Sequence, residues 1–372
     1  MKQKIRFVNK DKTKFFETLK QRVDQYFVDN HISPHANSTM VIKSIVMLAM
    51  YFVPYVLIVT QHYSLFGMWI CTLVMGLGLA GVGMCIMHDA NHGAYSSKPF
   101  ANRMMALSLS LVGGDNNNWK TQHNFLHHTY TNITGYDKDI DDKVIMRFSP
   151  NGKYHRIQKF QIIYVFFFYS IMTLYWTTIK DFIQYFQFIK EGHTRANTSS
   201  KIKAMATILF WKIIFFAYAF AVPIMYLHLS FGQVFVGYLS LHIVAGIVLS
   251  VVFQLAHVVE NTIFPKPDDK GNIENEWAIH QLQTTADFAR HNPVITFYVG
   301  GLNFQAIHHL FPNICHVHYP NIRPIVEQTA KEFGVPYLYN QTFWKAFASH
   351  LRVISELGKK DTSFFKIAKS IG

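Results

Sequence analysis

Residues 65–92 read LFGMWICTLVMGLGLAGVGMCIMHDANH, an uncharged run that passes straight into a histidine pair. At about 1.5 Å per residue, the part from Leu65 to Met87 is long enough to cross a bilayer core as a helix. His88 and His92, at i and i+4, then share one helix face where the chain leaves the membrane. Residues 233–257 repeat the design, an apolar run closing on His257. Runs at 41–60 and 208–227 complete four candidate spans. The composition agrees: 50% of the 372 residues are hydrophobic, 16% aromatic and only 15% charged, more apolar than a soluble chain of this length needs.

The links 61–64 and 228–232 contain no Lys or Arg, whereas residues 1–40, 88–159, 180–206 and 257–372 hold nearly all of them. By the positive-inside rule the basic segments and both termini are cytosolic and the two links external. The first forty residues carry no apolar h-region, so no cleavable signal peptide is expected. Cys71, Cys85 and Cys315 imply no disulfide framework. A fifth apolar run, 160–178, is flanked by Lys153, Arg156 and Lys159 on one side and Lys180, Lys190, Arg195, Lys201 and Lys203 on the other. Both flanks prefer the cytosol, so the run is expected to lie in the interface. Residues 99–112 are too short to span and receive the same reading.

The expected fold is an all-α integral membrane protein: four transmembrane helices in two hairpins, with a helical cytosolic cap holding a di-metal site. As one catalytic unit it divides into an N-terminal segment 1–40, a hairpin 41–87, a cytosolic region 88–206, a second hairpin 207–256 and a C-terminal region 257–372.

Twenty histidines are present, and their clustering carries the chemistry. Beyond His88 and His92, the stretch from Trp119 to His128 sets His123 and His127 on one helix face and turns His128 about 100° away. Gln305, His308 and His309 stand at i, i+3 and i+4. With His257, all eight histidines fall on the cytosolic side. Imidazole suits Fe, Zn, Cu or Ni, and eight ligands exceed what one tetrahedral zinc can use, so two metals are indicated. No Glu-x-x-His occurs, which separates the site from carboxylate-bridged helix bundles.

Asp89 and the acidic turn Asp137, Asp139, Asp141 and Asp142 are candidates to orient ligand N–H groups; Asp141 and Asp142 read better as a solvated turn. His242, fifteen residues before His257 and so roughly 22 Å deeper along a helix, cannot reach the same metals. Cys315-His316-Val317-His318 reads as structural, and His280 stays open as an orienting residue.

In this order around two hairpins, H-x-x-x-H, H-x-x-x-H-H and Q-x-x-H-H resemble the histidine boxes of the membrane fatty-acid desaturases. Trp277 to Thr285, Gly300-Gly301-Leu302-Asn303-Phe304 and His309-Leu310-Phe311-Pro312 are similar to the front-end and bacterial acyl-lipid or acyl-CoA branch. The resemblance covers about residues 40–340. It implies two non-haem irons bound by His88, His92, His123, His127, His128, His257, His308 and His309, with Gln305 where other branches have histidine. It further implies O₂ as co-substrate, a fatty-acyl substrate drawn from membrane lipid or CoA, and Thr284 and Thr285 along an acyl channel. There are two departures. No His-Pro-Gly-Gly of a fused cytochrome b5 is present, so a separate ferredoxin or cytochrome b5 is the expected electron donor. The third box reads Gln-Ala-Ile-His-His rather than Gln-Ile-Glu-His-His, which leaves the double-bond position open.

Taking hydrogen from an unactivated methylene needs an oxidant that side chains do not supply, so metal and O₂ carry that step while the protein positions the chain. The acyl tail is expected in a channel between the spans and the cap. Gly76, Gly78, Ala80, Gly81 and Gly83 would permit it, and close helix packing explains them equally. A hydroxylase of the same di-iron class is the alternative within enzymes. A histidine-rich metal transporter is the alternative outside, but it should place ligands near the bilayer midplane. Here the spans carry only Lys43 and Lys212, expected near their cytosolic ends. Nothing implies a nucleic-acid partner.

Overall fold

The structure is a computed structural model that describes residues 4–10, 12–61, 63–140, 142–193 and 198–361. It is mostly helical and divides into two compact units. The first comprises residues 1–36, 122–165 and 252–372, the second residues 37–121 and 166–251. Arg195 and Asp141, read above as a basic flank and a turn residue, lie outside the described residues, as does His62 of the first link.

The second unit is built on helices long and apolar enough to cross a membrane. Four qualify: Ser38–Val59, Leu65–His92, Thr198–Tyr226 and Phe231–His257, the last of which continues past the unit boundary. The protein is therefore read as an integral membrane protein. Side-chain caps fix where the first two begin: Asn37 accepts from the Met40 amide and Ser64 from the Gly67 amide. The second span does not stop at Met87. A π-helical turn over Val82–Met87 carries it unbroken into the histidine pair, and Gly93, at φ +78°, ends it.

The small residues of this span serve packing. A Cβ on Gly78 would sit 2.6 Å from the backbone of Met50 and Tyr51 in the first span, and one on Gly76 would sit 2.6 Å from the Leu241 carbonyl in the fourth. Substitution at either position would force helices apart, so the stripe fixes close approach rather than leaving room for a ligand.

The helix that carries the third span begins at Thr198, ten residues before the apolar run, because the polar turns around Lys201 and Lys203 contain no helix breaker. Lys212 lies within this helix, five residues into the apolar run that starts at residue 208. It is buried, and its ammonium bonds the carbonyls of Gly113 (2.6 Å) and Thr177 (2.7 Å) and the Asp181 carboxylate (2.7 Å). A lysine in a span is tolerable only with such partners. The run at 160–178 lies in two helices, Arg156–Ser170 and Met172–Lys190, bent by 53° at their junction; together they are long and apolar enough for a broken span or a re-entrant loop, so an interfacial placement of this run remains a proposal. Pro99–Leu111 is a helix of 13 residues with proline in its first turn, too short to span.

In the first unit the N-terminal helix Phe15–Asp29 buries Phe15, Leu19, Val23 and Phe27, a stripe spaced by four. The stripe packs in one core with Leu282, Phe304, Ile307 and Leu310. The segment expected only to be polar thus supports the helix that carries the third histidine box. Strand pairing among the described residues is confined to two three-residue parallel ladders, Arg6–Val8 with Asn272–Glu274 and Ala286–Phe288 with Leu338–Asn340.

The second ladder presents Asp287, which is fully buried. Its carboxylate accepts from the Ala306 amide (2.9 Å) at the start of the box helix Gln305–Leu310 and from the Tyr337 hydroxyl. Burial pushes the Asp287 carboxyl up to about 7 against the pull of those two donors. Because this lies above the ~4 of an exposed aspartate, its stabilising contribution is complete below about pH 4 and is lost as pH rises through about 7. Thermal unfolding of the detergent-solubilised protein should therefore show a melting temperature that falls from about pH 4 to about pH 7 and levels off above. The fall should be shallower in Asp287→Asn; parallel curves for the two proteins would remove Asp287 as its source.

Candidate metal centre

His88 and His92 belong to the second unit and the other six candidate histidines to the first. In the second unit the two imidazoles stand side by side, ring centroids 4.9 Å apart, each 5.7 Å from the Trp119 ring. The i, i+4 platform read from the sequence is present. Asp89 is buried next to it, with a carboxylate oxygen 3.7 Å from Nδ1 of His88, too long for a hydrogen bond. Asn91 reaches sideways to Asn116 (3.0 Å), tying the helix end to the start of the second box segment.

In the first unit the second box lies on a π-helical stretch, Lys120–His127, followed by the short helix His128–Tyr130. His127, His257 and His309 form a group whose ligand atoms lie within 4.8 Å of one another, all three fully buried. One ring nitrogen of each is held by an acceptor. Nδ1 of His127 faces Asp137 (2.9 Å), Nδ1 of His309 faces the side-chain oxygen of Gln281 (2.7 Å), and Nδ1 of His257 faces the Thr284 carbonyl (3.4 Å). With the proton on Nδ1, each Nε2 keeps a bare lone pair, and Nε2 of His127 is buried with no hydrogen-bond partner. The Gln305 amide comes within 3.5 Å of Nε2 of His257. Phe253 flanks His127 and His257 at 5.0 Å and keeps that side apolar.

His123, His128 and His308 form the second convergence. Nε2 of His128 is 3.0 Å from Nε2 of His308 and 3.3 Å from Nε2 of His123. Nδ1 of His123 faces Asp139 (3.1 Å) and Nδ1 of His308 faces the Tyr319 hydroxyl (3.1 Å). With one proton at most on Nε2 of His128, at least one of these two contacts brings bare lone pairs together and gains nothing as a hydrogen bond. Two nitrogens each about 2.1 Å from one ion at right angles lie about 3 Å apart, which is the spacing seen. Both groups therefore fit a metal by donor type, burial and spacing.

In the acidic turn Asp137 and Asp139 hold the imidazoles of His127 and His123, whereas Asp142, expected to be solvated, accepts from the Phe148 and Ser149 amides. Burial alone would lower the His127 pKa, but the Asp137 carboxylate outweighs it and raises the pKa. His280 lies against Phe7 with ring centroids 5.0 Å apart, and burial lowers its pKa to about 4. Its neighbour Gln281 does the orienting instead, bonding His309, Thr131 (2.9 Å) and the His128 carbonyl (3.1 Å). Thr284 bonds the His280 carbonyl, and Thr285 is buried with no partner for its hydroxyl. His318 bonds the His35 carbonyl (2.9 Å).

Sequence reading missed three residues that build this site. Gln281 appeared only inside a motif of resemblance. Tyr319 was not considered. Asn132, at φ +59°, donates from one side-chain amide toward the carbonyls of His257 (3.1 Å), Ile263 (3.1 Å) and Thr284 (3.2 Å), joining three segments. The signal for Asn132 was weak: an asparagine in a turn four residues beyond a histidine pair.

Comparison with known proteins gives one family. A profile described as fatty acid desaturase matches residues 63–341. An sn-1 linoleoyl-lipid 6-desaturase of Arthrospira platensis is 38% identical over 90% of this chain and 90% of its own. An enzyme of the same description from Synechocystis is 35% identical over 96% of this chain and 98% of its own. An acyl-lipid (8-3)-desaturase of Physcomitrium patens is 35% identical over 95% of this chain and 74% of its own.

Proposed function

The chain belongs to the fatty acid desaturase family, and from that premise we propose that it inserts a double bond into an acyl chain esterified to a membrane glycerolipid. The new bond would lie nearer the carboxyl end than one already present. The protein is an oxidoreductase, a fatty-acyl desaturase. The lipid-linked substrate and the position follow the relatives named as linoleoyl-lipid 6-desaturases and acyl-lipid (8-3)-desaturases.

The observation that carries a metal at this site is the pattern of the imidazoles in the first unit. Their outer nitrogens are bonded to Asp137, Asp139, Gln281, Tyr319 and the Thr284 carbonyl, and their inner nitrogens converge. We assign His88, His92, His123, His127, His128, His257, His308 and His309 as ligands of two irons, with Gln305 beside them. Bound there with O₂, the irons supply the oxidising power that side chains lack.

The chain's own residues do the rest. Asp137 and Asp139 fix the tautomer and aim of His127 and His123. Gln281 holds His309 and, through the His128 carbonyl, the helix that presents His128. Phe253 and the buried aliphatic residues around the groups exclude water from the reacting methylenes. Expression in a host lacking its own desaturase tests the proposal: lipid profiling should show a new double bond on intact glycerolipid. Products confined to acyl-CoA would overturn the lipid-linked part.

The proposed topology has two hairpins with short external links, and both termini and the metal centre in the cytosol. Basic segments flank the spans on one side only, which supports it. The native Cys71, Cys85 and Cys315 are buried, so background labelling should be low. In intact cells a cysteine at Ser64 should react with a membrane-impermeant maleimide, and one at Lys153 should react only after permeabilisation. The reverse pattern would invert the topology.

A further inference from the structure

One hydrogen bond joins a half-buried aromatic pair of the first unit to a histidine of the metal centre. Trp277 opens the helix Trp277–Thr284 and is half-buried, and its indole N–H donates to the carbonyl of His128 (3.1 Å). The imidazole of His128 is the one on which Nε2 of His123 and of His308 converge. The Trp277 ring meets the ring of Phe16 edge-on at 5.5 Å, and Phe16, also half-buried, lies 6.0 Å from the Phe311 ring.

Glu276 sets the pair in place. Its carboxylate accepts from the Thr13 hydroxyl (2.8 Å) and the Phe16 amide (3.2 Å), one oxygen to each, so the first turn of the N-terminal helix is pinned beside Trp277. Lys12 and Lys14, on either side of Thr13, are exposed. They belong to a basic stretch, since residues 4–20 hold six basic side chains against the acidic Asp11 and Glu17. A small apolar centre with a charged rim is the anatomy of a weak, transient interface, in which charge sets encounter and orientation. The sign of this rim suits an acidic partner. An anionic lipid surface would also attract the lysines, but it has no use for the bond from Trp277 to His128. Electron tunnelling falls steeply with distance and runs better along bonds and hydrogen bonds than across gaps, so an electron arriving at Trp277 has a connected path to the His128 backbone.

We propose that the surface formed by Trp277 and Phe16, rimmed by Lys12 and Lys14, is where an acidic one-electron carrier docks and that Trp277 bridges it to the metal centre. The proposal rests on the reading of the chain as a di-iron desaturase fed from outside. At each encounter the carrier is oxidised by one electron and the proposed iron pair is reduced by one. Two encounters supply the two external electrons of a cycle, the accompanying protons come from water, and Trp277 conducts without being oxidised itself.

The test uses the full-length, iron-loaded protein in phosphatidylcholine nanodiscs and a plant-type ferredoxin. With oxidised ferredoxin and no turnover, a zero-length carbodiimide should join ferredoxin carboxylates chiefly to Lys12 or Lys14. Lys12→Glu with Lys14→Glu should weaken ferredoxin binding by about tenfold or more at low salt, whereas the charge-matched pair Lys331→Glu with Lys345→Glu should stay within about twofold. Trp277→Phe keeps a ring against Phe16 and removes the N–H. It should bind ferredoxin normally yet oxidise saturating reduced ferredoxin several-fold more slowly, while dithionite, which needs no docking surface, reduces it at the unaltered rate. Cross-links chiefly at other lysines, or equal weakening by the two lysine pairs, would overturn the docking face. An unchanged ferredoxin rate in Trp277→Phe, or an equal loss with dithionite, would overturn the bridge. An unaltered protein that never oxidises the carrier in the presence of O₂ and lipid would remove the functional reading and this proposal with it.

Discussion

Replacing any one of His88, His127, His257 or His309 by alanine should lower product formation by more than about a hundredfold, because loss of an orienting partner alone costs 10–100-fold at metal sites. The protein should still insert in the membrane, since none of these side chains builds the apolar faces of the spans. His127 gives the sharpest case. Its Nε2 has no partner in the protein, and its removal would leave Asp137 buried with a charge and one fewer donor. Gln281→Ala should fall in the lower band, 10–100-fold, because His309 would keep its place on the helix and lose only its anchor. Lipid analysis and iron content of the purified variants check both. Near-normal iron and product in any of the four histidine variants would remove that residue from the ligand set.

The sequence disclosed most of the histidine pattern because ligand spacing along a helix is local. His88 and His92, His123 and His127, and His308 and His309 needed only the periodicity of one element. The four spans were legible for the same reason, since apolar length is a property of a single run. Residues whose role depends on a distant partner were not. Gln281 bonds His309 and Thr131, and Thr131 lies 150 residues away, so no window on the sequence contains the relation. Tyr319 against His308 and Lys212 against Asp181 are of this kind. The N-terminal helix differs: Phe15, Leu19, Val23 and Phe27 form a stripe that periodicity alone would have found, hidden only by the charged residues between them. The π-helical turns at Val82–Met87 and Lys120–His127 were also out of reach, because local propensity does not distinguish such a turn from the α-helix around it.

Purified enzyme given O₂ and acyl lipid should make no more than one equivalent of product, and turnover should resume only when a reduced one-electron carrier is supplied. The electron balance demands this. Converting a –CH₂–CH₂– unit to –CH=CH– releases two electrons and two protons, whereas reducing O₂ to two waters consumes four of each. Two electrons must therefore come from outside in every cycle, and no side chain can provide them repeatedly. If the carrier is an acidic ferredoxin or cytochrome b5, as proposed, the formal charge of +13 should steer the encounter electrostatically. Exposed charges are screened beyond about 10 Å at 0.1 M salt. Raising the salt from about 0.02 M to about 0.3 M should accordingly slow donor-limited turnover by roughly tenfold or more while leaving the rate at saturating donor nearly unchanged. Oxygen uptake and product analysis under limiting donor measure both. Repeated turnover without any donor would contradict the electron requirement, and a rate indifferent to salt would show that the carrier docks without help from the basic surface.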